Sequence, residues 1–272
     1  MIEATTIHQE IHVFINRSRL VCFSPTGSTR KLGEAVAGGA GFPCSVTDIT
    51  LPEKRKAIES FALEELCILA VPVYYGRVAK TAVDYMTEFQ GNGAPVALLV
   101  NYGNRHFDDA LLELYDLAVE TGFVPVGAAA FVSEHSFSTR DYPMAIGRPE
   151  ESDLSLATEF GNRVAQKVLN KLEKLENIPG NLPYKPYPDL HRAPASLDNC
   201  TLCGTCAGIC PVDAIRIHNG ILSTDEQKCI ICQACVKKCP EQARIDCGPG
   251  AIESRERLKP LVAERREVEF FL

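Results

Sequence analysis

Strand-like apolar runs alternate with stretches of helical periodicity over the first 176 positions. The runs fall at residues 19–23, 44–49, 66–71, 96–100 and 124–132. Each is short, which suits a buried strand better than a helix. Helical patterns lie between them at residues 30–40, 78–90 and 108–121. A last helix is predicted over residues 153–176, with Ser152 as its N-cap. Strands and helices in strict alternation predict a doubly wound parallel sheet covered on both faces. Ahead of it, Ile7, Ile11, Val13 and Ile15 read either as an extra edge strand or as a mobile arm.

The pattern changes after residue 176. Residues 177–198 hold five prolines (Pro179, Pro183, Pro186, Pro188, Pro194) with Tyr184 and Tyr187. That composition predicts an extended, semi-rigid linker lying along the first domain; a floppy spacer is the alternative. Farther on, residues 215–222 place apolar residues on both sides of Asn219-Gly220, a hairpin signal. Residues 249–272 are charged, end in Phe270-Phe271-Leu272 and carry no motif; docking of this tail on the body is one expectation. The chain therefore divides into an N-terminal extension (1–18), an α/β domain (19–176), a linker (177–198), a small second domain (199–248) and a tail (249–272).

Composition narrows the function classes. The net charge of −7 lies in residues 1–176, with 16 Lys+Arg against 23 Asp+Glu; residues 177–272 hold 12 of each. No basic cluster points to nucleic acid. No apolar run approaches the ~20 residues of a membrane helix, and the N-terminus lacks a signal-peptide pattern. A cytoplasmic protein is expected. Twelve cysteines in such a protein point to metal rather than to disulfides.

Eight of those cysteines carry the chemistry. Cys200, Cys203, Cys206 and Cys210-Pro211 form C-x2-C-x2-C-x3-C-P, and Cys229, Cys232, Cys235 and Cys239-Pro240 repeat it 29 residues later. Structural zinc would need only two spaced pairs per ion. The full run matches the ligand run of two-cluster ferredoxins, in which the fourth cysteine serves the other cluster. That match assigns Cys200, Cys203, Cys206 and Cys239 to one [4Fe–4S] cluster, and Cys229, Cys232, Cys235 and Cys210 to the second. Proline after each distal cysteine suits the first turn of a helix. Cys22, Cys44, Cys67 and Cys247 have no partner spacing and read as packing residues.

In the first domain, Ser24-Pro25-Thr26-Gly27-Ser28-Thr29 joins a strand to a helix start. Such a loop gathers amides and hydroxyls on the positive end of the helix dipole and binds an anion, or it simply caps the helix. It has no Walker lysine and no G-x-G-x-x-G, which disfavours a nucleoside triphosphate or a dinucleotide.

This loop resembles the [ST]-x-T-G-x-T phosphate loop of flavodoxins. Residues 19–176 are similar to a flavodoxin-like domain with sheet order 2-1-3-4-5. The whole chain, over about residues 19–248, resembles flavodoxin–ferredoxin fusion proteins, found largely in anaerobes. The resemblance implies FMN, held at the carboxyl ends of the strands beside the switch point. Ser24, Thr26, Gly27, Ser28 and Thr29 would take its phosphate. The loops of Tyr74, Tyr75, Gly76 and Arg77, and of Asn101, Tyr102, Gly103, Asn104 and Arg105, would sandwich its ring. Tyr75 or Tyr74 on one side and Tyr102 on the other are the stacking candidates; Tyr74 alternatively packs in the core. Arg77 or Arg105 would stabilise the reduced ring, or sit on the surface. His135 follows the fifth strand and is a weak catalytic candidate beside its ordinary role as a structural hydrogen-bonder.

Three functions follow. The first is an electron-transfer iron–sulfur flavoprotein passing electrons between two [4Fe–4S] clusters and FMN, with a redox protein as donor or acceptor. The second is a flavin-dependent reductase of a quinone or porphyrinogen type of acceptor, with a pocket lined by His135, Tyr142 and Arg148. The third is a metal-binding module without redox chemistry.

Overall fold

The computed structural model describes residues 14–170 and 172–272. Ile7, Ile11 and Val13 lie outside the described residues, whereas Ile15 is buried in one cluster with Leu20, Leu66 and Ile68.

Five parallel strands form the centre: β1 (Arg17–Cys22), β2 (Cys44–Asp48), β3 (Glu65–Tyr74), β5 (Pro95–Tyr102) and β6 (Val124–Val132). A two-residue strand β4 (Arg77–Val78) folds back on the end of β3. The order β2-β1-β3-β5-β6 is the flavodoxin-like 2-1-3-4-5 arrangement, with its switch point between β1 and β3. Strand side chains alternate between two apolar layers. Val21, Leu69, Leu98 and Val132 face helices α2 (Lys80–Met86) and α3 (Ala110–Glu120). Leu20, Ile68, Leu99 and Phe131 face α1 (Ser28–Ala40) and α4 (Glu151–Asn170). Both faces of β1, β3, β5 and β6 are buried, as a parallel sheet requires, whereas the edge strand β2 stays largely exposed.

Helices α1 and α4 cross backbone to backbone. A Cβ at Gly161 would stand 1.9 Å from the Val36 carbonyl oxygen, and one at Gly39 1.9 Å from that of Thr158. Only glycine on each side permits this approach.

The last helix departs from its prediction at both ends. It begins at Glu151, so Ser152 is inside it, its hydroxyl turned to Glu150 Oε1 at 3.1 Å. Asp153 instead accepts the Glu150 N–H at 2.9 Å and pairs with buried Arg148. The helix stops at Asn170, and the Leu175 N–H donates to the Pro125 carbonyl at 2.7 Å, drawing the chain onto the sheet edge. The packing reading fits Cys22 and Cys67, which are buried; Cys44 and Cys247 are exposed, a correction to the sequence reading.

Residues 177–194 run extended along the α3 side. Asp109 accepts hydrogen bonds from Asn181 N (3.0 Å), Asn181 Nδ2 (3.1 Å) and Lys185 N (2.8 Å). Tyr187 Oη donates to the Val78 carbonyl at 2.9 Å. Arg77, paired with Glu113 at 2.7 Å, stacks beneath the rings of Tyr184 and Tyr187.

The small domain is built as two matched halves. Strand β7 (Ala195–Ser196) pairs with β10 (Arg244–Ile245), and β8 (Ile215–His218) with β9 (Ile221–Thr224). Asn219 and Gly220 both take positive φ at the β8–β9 turn, 49° and 73°, as a type I′ turn requires. The short helices α5 (Thr205–Gly208) and α6 (Ala234–Lys237) carry the third cysteine of each run, and Pro211 and Pro240 then sit in turns, a correction to the helix start expected there. The tail then returns to the first domain. Helix α7 (Pro249–Leu258) leads to β11 (Glu269–Phe271), antiparallel to β6 at the sheet edge. Phe270 packs against Phe131 and Phe160 there. The three-residue strand closes an edge that would otherwise offer unpaired amides.

Candidate cofactor sites

The cysteines gather around two cavities in the small domain. One is lined by Cys200, Cys203, Cys206 and Cys239, the other by Cys210, Cys229, Cys232 and Cys235. Each draws three cysteines from one loop and the fourth from the other repeat. The loops curl because matched residues are left-handed: Leu202 and Ile231 (φ 56° and 54°), Gly204 and Gln233 (80° and 64°). The distal cysteines accept matched N–H bonds at 3.3 Å, from Ala214 to Cys210 Sγ and from Ala243 to Cys239 Sγ.

Four cysteines drawn from the two repeats around each cavity fit the ligand run of an iron–sulfur cluster. Burial pushes the Cys229 thiol up to about 11 and Cys232 to about 12. Thiols raised in this way are held as thiolates by a bound cationic metal. The cavities differ in exposure. Cys203 lies at the surface, and its hydrogen bond with the Thr205 hydroxyl lowers its pKa. In the second cavity Cys210, Cys232 and Cys235 are buried and Cys229 is partly covered.

A third cavity, of about 520 Å³, opens at the carboxyl ends of β1, β3, β5 and β6. Thr26 and Ser28 form its floor at the α1 N-terminus, where Gly27 turns with φ 102°. Tyr74, Tyr75, Gly76, Asn101, Tyr102, Gly103 and Arg105 line its sides, with His135. The linker (Lys185, Pro186, Pro188, Leu190) and the tail (Ser254, Arg257, Leu258, Leu261) contribute further walls. Ile230 and Ile231, between Cys229 and Cys232, line this cavity and also the second cysteine cavity. The two cavities therefore share a two-residue wall.

The remaining candidates stand elsewhere. Ser24 uses its hydroxyl to accept the Arg30 N–H at 3.0 Å. Thr29 accepts from Asn101 Nδ2 at 3.1 Å behind the floor. Arg77 is committed to Glu113 and the linker. Asn104 holds the tail, donating to the Val262 and Glu264 carbonyls and accepting the Arg266 N–H. Tyr142 and Arg148 line a separate cavity of about 390 Å³, where Tyr142 bonds Glu256 and Arg148 bonds Asp153.

Electrostatics at the large cavity favour neutral donors and acceptors. Burial, then Lys237 and Arg255, lower His135 to about 4. Its Nδ1 accepts the Phe137 N–H at 3.0 Å, so the proton sits on Nε2. Burial raises Tyr102 to about 12 and Tyr74 well above its ordinary value. Asp108 pairs with Arg105 and with Lys185, so neither cation stands alone at the mouth. The sequence reading lays the linker along the first domain and offers docking of the tail on the body, but neither carries a motif that points to this cavity. The alternation at Val268-Glu269-Phe270 was the one available sign that the tail returns as a strand.

A family profile described as a 4Fe-4S dicluster domain matches residues 195–243. Ferredoxin-2 of Chlorobaculum tepidum is 39% identical over 56 residues, covering 18% of this chain and 84% of that protein. Among solved structures, a flavodoxin from the domain Archaea is similar at 16% identity and a TM-score of 0.38, over 56% of this chain and 98% of its own. A Fusobacterium nucleatum flavodoxin mutant bound to flavin mononucleotide gives 16% and 0.37, over 59% of this chain and 99% of its own. No described helix is long and apolar enough to cross a membrane.

Proposed function

Since this chain belongs to the ferredoxin family through its 4Fe-4S dicluster domain and joins that domain to a flavodoxin-like fold, we propose that it is an electron-transfer iron–sulfur flavoprotein. In this reading the two cysteine cavities hold two [4Fe–4S] clusters and the 520 Å³ cavity holds FMN. Clusters exchange single electrons and a flavin accepts one or two, so the pair interconverts the two kinds of step.

The chain's own residues support each part. Ser28, the first residue of α1, lies on the cavity floor, where the helix N-terminus would favour a phosphate. Asn101 Oδ1 and Ser133 Oγ are buried, line the cavity and lack partners. Unmatched polar atoms of this kind fit a ligand that is polar along one edge. Tyr75 and Tyr102 line the cavity and would be the aromatic partners of the ring. The tail and linker walls exclude water from the ring.

The single observation that carries the reading is the shared wall of Ile230 and Ile231. It puts the flavin cavity beside the buried second cluster site, while Cys203 opens the first site to solvent. A redox protein would dock at the first site, and electrons would pass inward through the second. The reductase reading gains less, because Tyr142 and Arg148 face a different cavity. The test is anaerobic purification with iron, sulfide and FMN counted per chain. About eight iron, eight sulfide and one FMN are expected. Zinc, or a colourless preparation after reconstitution with iron, sulfide and FMN, would refute it.

A further inference from the structure

The internal repeat of the small domain is broken at one buried position. Offset by 29 residues, the backbone of the two halves agrees closely: Asp213 and Gln242 both have φ 50°, and Ala214 and Ala243 make the same 3.3 Å bonds to their cysteines. The next residue in the first half is Ile215, an apolar side chain 7% exposed. Its counterpart in the second half is Arg244, only 3% exposed.

This guanidinium is held but not neutralised. Nη1 donates to Ser196 Oγ and Nη2 to Thr224 Oγ1, both at 2.9 Å. Nη2 also approaches Cys235 Sγ at 4.0 Å. Nε is buried and has no partner. No carboxylate among the described residues pairs with it. Arg244 lines the cavity of Cys200, Cys203, Cys206 and Cys239 while touching a cysteine of the other. It therefore stands between the two. An arginine is almost never buried unpaired, because desolvating its charge is costly. An apolar residue fits the same place in the other repeat, so the fold itself does not require a cation there. The charge has a counterpart only when the thiolates are filled with metal.

We propose that Arg244 is a fixed positive charge and hydrogen-bond donor shared by the two cluster sites, which favours reduction of both clusters and favours it more at the site of Cys235. Potentials of iron–sulfur clusters follow local charge and hydrogen bonds to sulfur, and a guanidinium stays charged at every working pH. The inference rests on the cluster reading above. A parent protein without an iron–sulfur signal would sink that reading; a parent with two clusters and unmoved midpoints would sink only this one.

The test is an anaerobic redox titration, followed by electron paramagnetic resonance, of the full chain and three variants. Arg244→Ile copies the residue of the other repeat. Arg244→Gln keeps donors without charge, and Arg244→Lys keeps charge. In Arg244→Ile the reduction equilibrium should fall at least tenfold at one cluster or both, about 59 mV for a one-electron couple. The larger shift should occur at the cluster that is retained in Cys206→Ala. Arg244→Gln, which loses the charge but keeps donors, should shift in the same direction as Arg244→Ile by less, and Arg244→Lys should shift least. A fall of less than tenfold at both clusters of Arg244→Ile overturns the proposal. So does failure of all three variants to load iron, which would make Arg244 an assembly residue.

Discussion

Replacing Asp109 by Ala should release the linker from the α3 side and uncover one wall of the large cavity. Asp109 is 1% exposed and accepts three N–H bonds from residues 181 and 185. Burial alone would raise its carboxyl, but the bonds from Lys185 and Asn181 outweigh it and hold the group below its ordinary value. A hydrogen bond to a charged group contributes about 1.5–3 kcal/mol. The freed linker can rehydrate its donors, so the full sum is not lost, and the contacts of Tyr184 and Tyr187 remain. A local loss of about 2–4 kcal/mol follows, or about 30- to 1,000-fold in the opening equilibrium. Amide hydrogen exchange of Asn181 and Lys185, read by mass spectrometry, measures it directly. Protection there should fall by that factor while β3 and β5 stay protected. Because the carboxyl is depressed, its contribution is present above the unfolded value near 3.9 and is lost as pH falls through the lower folded value. The same amides in the parent should therefore lose protection only in strong acid. Unchanged exchange in Asp109→Ala, within about threefold, would refute the assignment of Asp109 as the anchor.

Other outcomes follow from the same geometry. Cys239→Ala should empty the cavity of Cys200, Cys203 and Cys206, removing about four of eight iron atoms while FMN is retained, as counted by metal and flavin analysis. Gly161→Ala would drive a methyl to 1.9 Å from the Val36 carbonyl oxygen, so the urea midpoint should fall by the equivalent of about 2–3 kcal/mol. His135, lowered to about 4 in the folded chain, takes up its proton in the unfolded chain first. Stability should therefore drop as pH falls from about 6.5 towards 4, by up to about 3 kcal/mol. His135→Gln should not show that loss in urea titrations at each pH.

The sequence was most informative where one local pattern fixes one local structure. The cysteine runs, the Asn219-Gly220 turn and the strand–loop–helix at residues 19–40 needed no distant partner, although the short helices of the cysteine runs end before the distal cysteines rather than starting at Pro211 and Pro240. Tyr74, Tyr75 and Tyr102 reached the cavity because the strand ends place them there. Arg77 and Asn104 sit in the same loops but are drawn off by Glu113 and by the tail carbonyls. Such competition depends on chain 36 or about 160 residues away, which no local window contains. The return of Phe270 to the edge of β6 belongs to the same class. So does the shared wall of Ile230 and Ile231, which arises only once both domains are folded against each other.

Electron passage across that wall is the central claim, and stopped-flow mixing tests it most directly. The loaded chain and a Cys206→Ala variant retaining flavin and the second cluster are each mixed anaerobically with a reduced low-potential ferredoxin. Absorbance is followed at cluster and flavin wavelengths. In the parent, the flavin should bleach in step with reoxidation of the clusters. The variant, stripped of the solvent-facing site, should accept electrons at least tenfold more slowly. Clusters that reduce fully while the flavin stays oxidised, or a variant as fast as the parent, would contradict the account.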